Sequence, residues 1–421
     1  QPNLDTKNRF YKAYPGLVYN VRLAVIGGEY PFSYELTAPA APGMTIDKRG
    51  EINWANPTAS ATAYSVSVKV TDAQANTTTV TWNITVTTSG FRFIDGINGK
   101  STAQGGTGLF SNPWKSMKDM YEGDVYASKT ARTYAGEFLY WRTGTYTMDA
   151  FKENNGIRTP FVGNYKPMVW LAYPGEAPVI DMAGAFISIY GGGSNTYFDG
   201  LEFNINGNSR GMGIVIDSSA SNVTFRKNKL HGITNALSGG NHSLIFIARN
   251  TVGRYYSIQD NEMYNVSSSG YGLLGYSASH VLVEDNTVHN IRSIPIGPKS
   301  STAMWAIRAN RMYNNPRESI NLQYSNSSGI QSGNIEISYN LVETGGGQFL
   351  MNQSYATTGL PVYIFRNTFM DAVLINKITS TNGPFYWQDN VIVNETNYPD
   401  KIQRRNIDAP SRVIVTNNLT G

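Results

Sequence analysis

The chain has no cysteine and is poor in charged residues. Because none of its 421 residues is a cysteine, disulfides, thiolate metal sites and a cysteine nucleophile are excluded. Only 15% of the residues are charged, against roughly 25% in an average globular protein. The polar residues are instead mostly Asn, Ser, Thr, Gly and Tyr. This composition is typical of a β-rich fold with many turns, since Asn and Gly suit turns whereas Thr and Tyr suit strands.

Long apolar runs and basic runs are also missing. No apolar run approaches the roughly 20 residues that a membrane-spanning helix needs. No Lys/Arg run has the character of a nucleic-acid-binding segment. The net charge of +4, with a pI of about 8.9, permits acidic partners without requiring them. The chain starts at Gln1 with neither a methionine nor a signal peptide, so we expect a mature or trimmed chain and an extracellular protein.

Short alternating strands occupy the N-terminal part. The segment "YSVSVKVTDAQANTTTVTWNITV" (64–86) alternates apolar and polar residues on both sides of the turn sequence "DAQAN". This period of two predicts a pair of half-buried strands. A second strand pair is expected around Lys48-Arg49-Gly50 in "GMTIDKRGEINW" (43–54). Several short strands this close together predict a small antiparallel sandwich.

The run from residue 15 to residue 86 resembles the immunoglobulin-like modules attached to secreted bacterial and phage proteins. The resemblance implies a spacer or binding module, which we place at residues 1–88, with "TTSG" (87–90) as the linker. Calcium sites of the cadherin type need several carboxylates, and Asp72 stands alone in this context. We therefore do not expect calcium in this module.

From about residue 222 the sequence repeats. Eight segments share a short β run, an Asn, a spacer residue and an apolar residue, as in "VLVEDNTVHNI" (281–291). The Asn residues are numbers 228, 261, 286, 310, 340, 367, 390 and 417, about 27 residues apart. Such a period predicts a solenoid in which parallel strands stack from coil to coil. An Asn at each bend can hydrogen-bond the backbone of the next coil and tolerates left-handed backbone geometry.

These repeats resemble the right-handed parallel β-helix of the pectate-lyase-like superfamily. The segment 93–124 resembles the first part of such domains, and "PMVWLAYPGEAPVIDM" (167–182) resembles an early coil. We therefore predict an all-β protein with a parallel β-helix over residues 89–421. A helix near residues 112–122, with Asn112 as its cap and Pro113 as its first residue, is expected to cover the open end of the core.

The resemblance implies a substrate groove on the sheet that precedes the Asn-bearing strand. We expect groove strands at 213–217, 244–249, 271–276, 299–304, 320–324 and 349–353. The candidate catalytic residues are Asp217, His242, Arg249, Tyr276, Lys299 and Glu318. The candidate substrate-binding residues are Tyr271, Arg292, Arg317, Gln323, Tyr324 and Asn352. Aromatic platforms for sugar rings are expected among Tyr255, Tyr256, Tyr271, Tyr276, Tyr324 and Tyr355.

Two reactions fit these residues. A lyase needs a cation beside the substrate carboxylate, for which Arg249 is the candidate, and a base, for which Lys299 or His242 is the candidate. Tyr276 would then protonate the leaving oxygen. A hydrolase needs two carboxyls roughly 5 to 9.5 Å apart, and the candidates Asp217 and Glu318 lie several coils apart. The Asn-Thr-Asp, Asp-Asp and Gly-His-Gly set of polygalacturonases and the Arg-x-Pro-x-x-Arg run of pectate lyases are absent.

The acids in "VLVEDNTVHNI" are interpreted as architecture. Glu284 and Asp285 occupy positions whose chemistry varies between repeats, which predicts exposed side chains. His289 takes the place of a His or Tyr in other repeats, and His280 takes the place of an Asn, so both are interpreted as structural.

The leading hypothesis is an extracellular lyase that cleaves an acidic polysaccharide. A glycoside hydrolase, a trimeric phage tailspike or capsule depolymerase, and a non-catalytic glycan-binding adhesin are the alternatives. We expect a polysaccharide partner and neither nucleic acid nor a membrane span. The chain would be a monomer or a homotrimer, secreted or part of a virion, and Ca²⁺ remains a candidate ligand because Asn and Gln oxygens could bind it.

Overall fold

A computed structural model shows an all-β protein with one α-helix among the residues it describes, Met117–Gly123. None of the helices in the described part of the chain has the length and apolarity needed to cross a bilayer. The described residues are 3–5, 10–38, 40–123, 137–148, 157–158, 169–189, 194–206, 211–217, 219–234, 241–247, 254–267, 269–300, 302–324, 333–343, 348–354, 360–370, 373–378, 383–393, 402–407 and 410–420.

The N-terminal module is the sandwich that the alternating strands predicted, antiparallel except for Lys12–Ala13, which pairs in parallel with Thr77–Val86. One sheet has the strand order Lys12–Ala13, Thr77–Val86, Tyr64–Thr71 and Ser33–Thr37, and the other has the order Tyr19–Arg22, Glu51–Trp54 and Met44–Ile46. The strands Asn3–Asp5 and Ala24–Ile26 form a separate pair. The predicted hairpin is confirmed, since Tyr64 pairs with Ile84 and Thr71 with Thr77. Its alternating apolar side chains fill the space between the sheets, which is the reason for the period of two.

The rest of the described chain is a parallel β-helix in which successive coils add strands to three sheets. Sheet 1 consists of Phe91–Ile94, Phe138–Trp141, Val169–Ala172, Tyr197–Asp199, Val223–Arg226, Arg254–Gln259, Ser279–Glu284, Ala303–Arg308, Ile335–Ser338, Val362–Phe365, Phe385–Gln388 and Val413–Thr416. Sheet 2 consists of Gly144–Thr147, Pro178–Asp181, Glu202–Asn204, Lys229–Ile233, Glu262–Val266, Thr287–Ile291, Arg311–Tyr313, Leu341–Glu343, Thr368–Phe369, Val391–Ile392 and Leu419–Thr420. Sheet 3 consists of Ile157–Arg158, Ile187–Ile189, Met212–Ile216, Ser243–Ile247, Tyr271–Tyr276, Ile294–Lys299, Glu318–Tyr324, Gln348–Ser354, Val373–Ile378 and Ile402–Ile407.

The core of the β-helix is built from columns of apolar side chains. In sheet 1 the backbone register places inward-facing residues of successive coils directly above one another. One such column consists of Ile258, Val283, Ile307, Ile337, Ile364 and Trp387, all fully buried. Full burial of an aliphatic side chain of this size contributes about 1.5–3 kcal/mol. Because each column repeats once per coil, the core grows with every coil that is added.

A ladder of buried Asn side chains stands at the bend between sheets 1 and 2. Asn286 shows its geometry: Nδ2 donates to the Ile258 carbonyl at 2.8 Å and to Asn310 Oδ1 at 2.9 Å. The Asn286 Oδ1 in turn accepts from the Asn261 backbone N–H at 2.9 Å. The same pattern runs through Asn228, Asn261, Asn286, Asn310, Asn340, Asn367, Asn390 and Asn418. The predicted bonding of Asn to a neighbouring coil is thus confirmed.

Two details of the ladder correct the sequence-based prediction. Its last member is Asn418, whereas the repeat alignment chose Asn417. The left-handed geometry also belongs to the residue before each ladder Asn, with φ between 54° and 59°. That position holds Lys227, Asp260, Asp285, Ala309, Tyr339, Arg366, Asp389 and Asn417. Asn417 was mistaken for the ladder member because Asn is well suited to both neighbouring positions.

The α-helix starts later than predicted. It begins at Met117, and Ser116 caps it: Ser116 Oγ accepts from the Asp119 backbone N–H at 3.1 Å. The prediction of Asn112 as the cap is wrong, because the Asn112 amide donates to the Gly105 carbonyl within the preceding loop. Met117 and Met120 are buried in the core of the β-helix. The boundary between the two domains near residue 88 stays a prediction.

The sandwich module packs directly on the outer face of sheet 1. Ala24 and Ile26 of the module lie against Leu282 and Ala306 of the sheet. Its backbone carbonyls also accept hydrogen bonds from the sheet: the Leu23 carbonyl from Gln259 at 3.3 Å and the Val25 carbonyl from Arg308 at 2.7 Å. The module is therefore fixed along the β-helix, although the sequence had suggested a separate domain on a linker.

Buried ion pairs lie in the same interface. Arg308 Nε donates to Glu284 Oε1 at 2.7 Å, and Arg22 Nη2 from the module lies 3.1 Å from Glu284 Oε2. Glu284 is 2% exposed and Arg308 is fully buried, so the prediction that Glu284 is an exposed side chain is wrong. Asp285 is partly buried and pairs with Arg22 at 2.6 Å. Despite burial, Arg308 and Arg22 keep the pKa of the Glu284 carboxyl below its usual value.

The outer face of sheet 2 carries a stack of flat rings. His231, Tyr264, His289 and Tyr313 occupy one position in successive coils, with ring centroids 4.7 to 5.1 Å apart. This confirms that His289 occupies the position that a His or Tyr holds in other repeats. Its ring is part of a structural stack. His280 has the left-handed φ of 57°, matching Asn222 at 58° in its column, which supports a structural part for it as well.

The ladder leads to a stability prediction. Asn286→Ala would leave the Asn261 backbone N–H and the Ile258 carbonyl without their partners inside the protein. Loss of these hydrogen bonds should lower the free energy of unfolding by about 2–5 kcal/mol. Chemical denaturation of the whole chain would measure the loss. The exposed Asn83→Ala on the sandwich is the matched control and should change stability by less than about 0.5 kcal/mol. Equal stability of both variants would contradict the assigned importance of the ladder.

Candidate active site

The candidate site lies on the outer face of sheet 3, where most of the predicted groove strands are found. One predicted segment, 299–304, is wrong: the strand is Ile294–Lys299, and the next strand, Ala303–Arg308, belongs to sheet 1. The predicted segment spans the bend between these two strands. Lys299 nevertheless stays at the end of a groove strand, in register with Tyr276 and Gln323.

Lys299 is the centre of a side-chain cluster. Its Nζ donates a hydrogen bond to the hydroxyl of Tyr271, in the preceding coil. The same Nζ lies 4.6 Å from the centroid of the Tyr271 ring and 5.8 Å from that of Tyr276. Lys299 is 8% exposed and Tyr271 is 6% exposed. An amine and a phenol are thus held in contact beneath the surface, which is an arrangement suited to proton transfer.

Apolar side chains form the base of the cluster. Tyr271, Leu274 and Ile294 are buried together on the outer face of the sheet, and Phe246 and Tyr276 pack against them. The Tyr276 hydroxyl donates to Asn241 Oδ1 at 3.1 Å, which holds its ring over the cluster. The surroundings of the Lys299 amine are therefore mostly apolar, and an apolar environment disfavours a charged group.

Glu318 enters the cluster from the following coil. Its carboxylate accepts a hydrogen bond from Asn321 Nδ2, and its charge acts on both Lys299 and Tyr271. The sequence had named Glu318 but had not identified Asn321 or Asn241, since neither lies in a motif. The alternation of strand residues would have placed Asn321 on the outer face, because Ile320 and Leu322 face inward.

Burial shifts the pKa values of all three titratable groups. Desolvation lowers the pKa of Lys299, and the nearby Glu318 charge opposes this shift. Desolvation raises the pKa of Glu318, against the hydrogen bond from Asn321 and the charge of Lys299. The pKa of Tyr271 is raised by desolvation and by the neighbouring Tyr276 and Glu318. The neutral forms of the amine, the acid and the phenol are therefore all favoured relative to water.

Of the remaining predicted residues, Arg317 acts electrostatically on Glu318 and Gln323 is in register with Lys299, whereas the others lie further away or outside the described residues. Asp217 is in line with Lys299 but three coils earlier, or about 14 Å along the axis. It is one coil further from Glu318, so the two carboxyls are too far apart to act as a hydrolytic pair. His242 is buried just before the strand Ser243–Ile247, two coils before Lys299.

Arg292 and Arg317 are exposed at the start of the groove strands, and Arg292 donates to the Ser267 carbonyl at 3.2 Å. The backbones of Gln323, Tyr324 and Asn352 lie in sheet 3 strands. Arg249 and Tyr355 lie outside the described residues.

Two predicted sugar platforms are not on the groove. Tyr256 is wrong as a platform, because its ring is fully buried in the core of the β-helix and its hydroxyl donates to the Ala220 carbonyl. Tyr255 belongs to a sheet 1 strand and packs on His280 with ring centroids 4.8 Å apart. The alternation of the strand decides both cases, since Tyr256 occupies the inward column and Tyr255 does not.

No group of metal-binding side chains is found in the described part of the chain. The Asp72 carboxylate of the sandwich joins its own loop to the loop that contains Glu29. It accepts hydrogen bonds from the backbone N–H groups of Glu29, Gln74 and Asn76 at 2.8 to 3.2 Å. These bonds give Asp72 a structural part.

Comparison with known proteins supports the immunoglobulin-like fold of the N-terminal module. Residues 6–87 match the family model He_PIG, described as "Putative Ig domain". Among curated proteins, none matches the chain. A solved GH136 lacto-N-biosidase from Eubacterium ramulus is similar over 78% of this chain and 67% of its own, with a TM-score of 0.45 and 11% identity. A "putative alpha-galactosidase" from Bacteroides fragilis is similar over 48% of this chain and 56% of its own, with a TM-score of 0.20 and 12% identity.

The lowered pKa of Lys299 leads to a prediction about stability. Its charge is disfavoured in the folded state, so Lys299→Met should keep the free energy of unfolding within about 1 kcal/mol at neutral pH. The folded-state pKa lies below the unfolded one, so wild-type stability should gain relative to the variant as pH rises towards the unfolded pKa. Denaturation at several pH values measures both effects.

Arg308→Met is the contrasting variant, because it also removes a buried cation. It should cost about 3–5 kcal/mol, since it leaves Glu284 and Glu336 without this partner. If Lys299→Met were as damaging as Arg308→Met, Lys299 would be a structural cation instead of a site residue.

Proposed function

We propose that this protein is an extracellular carbohydrate-active enzyme that cleaves an acidic polysaccharide by β-elimination on sheet 3. The observation that carries the proposal is the hydrogen bond between the Lys299 amine, whose pKa is lowered, and the Tyr271 hydroxyl. A neutral amine can accept the proton on the carbon next to a uronate carboxylate. The resulting electrons form the new carbon–carbon double bond while the bond to the leaving oxygen breaks.

The other groups have distinct parts in this proposal. Tyr271, whose pKa is raised, stays protonated and can give its proton to the leaving oxygen. The exposed Arg292 and Arg317 provide positive charge at the edge of the groove, where an anionic chain would approach. Tyr276 covers the amine, so substrate entry requires its ring to turn away from Asn241. Sequence reasoning had assigned the proton donor to Tyr276, and the hydrogen bond favours Tyr271 for this step.

A hydrolase is the second candidate, because the raised pKa of Glu318 suits a general acid. It would need a second carboxyl roughly 5 to 9.5 Å away, which Asp217 does not supply. Incubation with alginate, pectate, chondroitin sulfate and bacterial capsule separates the two reactions. Elimination yields ultraviolet-absorbing unsaturated ends, whereas hydrolysis yields reducing ends without absorbance. Binding without any product would favour an adhesin, and a trimer in sedimentation would support a tailspike.

The base assignment leads to a prediction about activity. Lys299→Arg keeps the positive charge but cannot lose its proton in the accessible pH range, so kcat should fall by about 100-fold or more. The exposed Lys229→Arg on sheet 2 is the matched control and should keep full activity. In the wild type, kcat should rise with pH as Lys299 loses its proton, because only the neutral amine is a base. A fully active Lys299→Arg variant would exclude Lys299 as the base.

A further inference from the structure

A second cleft lies on sheet 1, where its cover by the sandwich module ends. Ala306 is covered by the module. In the following coils the same column of sheet 1 holds Glu336, Tyr363 and Tyr386. Glu336, Tyr363 and residues of the module line a cleft of about 420 Å³. It is on a different sheet from the Lys299 cluster, so the function proposed for sheet 3 does not account for it.

An exposed tyrosine forms one wall of this cleft. Tyr363 stacks on Tyr386 of the next coil, with ring centroids 5.2 Å apart and ring planes within 8°. Tyr386 covers one face of the Tyr363 ring. Tyr363 is still 41% exposed and lines the cleft. A ring fixed from one side and accessible from the other is a suitable platform for the C–H face of a sugar.

The opposite wall consists of two loops of the sandwich module, 27–32 and 72–76, which Asp72 holds together. Three backbone N–H groups donate to the Asp72 carboxylate, and Gln74 Nε2 donates to Glu29 Oε2 at 2.7 Å. Glu29, Gln74 and Asn76 of these loops line the cleft. Their amide and carboxylate groups are therefore positioned before any ligand arrives, which reduces the entropy cost of binding.

The charges in the cleft select against an anionic ligand. The described lining contains four acids, Glu29, Asp72, Glu336 and Asp389, and a single cation, Arg366. Glu336 is paired with Arg308 at 3.8 Å. Arg366 is already engaged, since its Nη1 donates to the Tyr339 hydroxyl at 2.6 Å. The hydroxyl groups of a neutral sugar can donate hydrogen bonds to the carboxylates of the cleft, whereas these carboxylates would repel a carboxylate of the ligand.

We propose that this cleft between the sandwich module and sheet 1 is a non-catalytic binding site for an uncharged sugar chain, with Tyr363 as its platform. The site differs in preference from the groove on sheet 3, which is proposed to accept an acidic chain. The sandwich module thereby contributes directly to glycan recognition. This inference does not depend on the proposed elimination reaction, because it uses none of the residues of the Lys299 cluster.

Calorimetric titration of the full chain tests the proposal. The probes are oligosaccharides of β-1,4-linked glucose, mannose and N-acetylglucosamine, with oligogalacturonate and oligoalginate of matched length as anionic probes. Titrations use the Lys299→Met background, so that no probe is cleaved, and binding is assigned to the cleft only where Tyr363→Ala weakens it. At least one neutral probe should bind, and Tyr363→Ala should weaken that binding by about tenfold. Tyr363→Phe keeps the ring and should retain the affinity within about threefold.

Two further variants make the result decisive. Tyr11→Ala removes a tyrosine of similar exposure elsewhere on the module and should leave binding unchanged. Glu29→Gln with Asp389→Asn should increase binding of the anionic probes, because it removes two negative charges from the cleft. The proposal is overturned if no neutral probe binds, if Tyr363→Ala binds as tightly as the wild type, or if anionic probes bind the unmodified cleft more tightly. Circular dichroism of each variant confirms folding.

Discussion

The buried Asn ladder is the constraint on which the rest of the molecule depends. At the bend between sheets 1 and 2 the chain turns sharply through a left-handed residue, and the turn leaves backbone groups inside the protein. The next residue, an Asn in every coil from Asn228 to Asn390, bonds to these groups and to the Asn of the neighbouring coil. A buried backbone group without a partner is costly, so the ladder fixes the register of each coil. That register then decides which side chains face outward on every sheet.

The outer faces of the three sheets have different surroundings as a result. Sheet 1 is covered along much of its length by the sandwich module, and its outward column of Arg226, Gln259, Glu284 and Arg308 is bonded to that module or to itself. Sheet 2 carries a stack of rings that neighbouring coils share. Sheet 3 places Lys299, Tyr271 and Glu318 together on an apolar base. Chemistry is proposed on sheet 3 because this cluster lies there.

The sequence predicted the features that repeat and missed the features that depend on contact between distant segments. Period-two strands predicted the sandwich and the recurring Asn predicted the solenoid, whereas the choice of the sheet that carries Lys299 came from the resemblance to the pectate-lyase-like superfamily. Glu284 was mistaken for an exposed side chain because its column varies from coil to coil. The sequence did contain a signal for an ion pair, since the oppositely charged Glu284 and Arg308 lie in adjacent coils at the same register. Nothing in the local sequence indicated that Arg22, more than 200 residues away, completes that network.

Two buried cations show how one physical rule separates structure from function. Arg308 is fully buried, but Glu284 and the Val25 carbonyl accept its hydrogen bonds, and its pKa is raised. Lys299 is almost as buried, yet its hydrogen-bond partner is the neutral Tyr271, and its pKa is lowered. A compensated charge holds two domains together, whereas a poorly compensated charge costs stability and gains reactivity. In a chain with so few charged residues, the buried Lys299 amine in contact with the Tyr271 hydroxyl is the reason for proposing Lys299 as a reacting group.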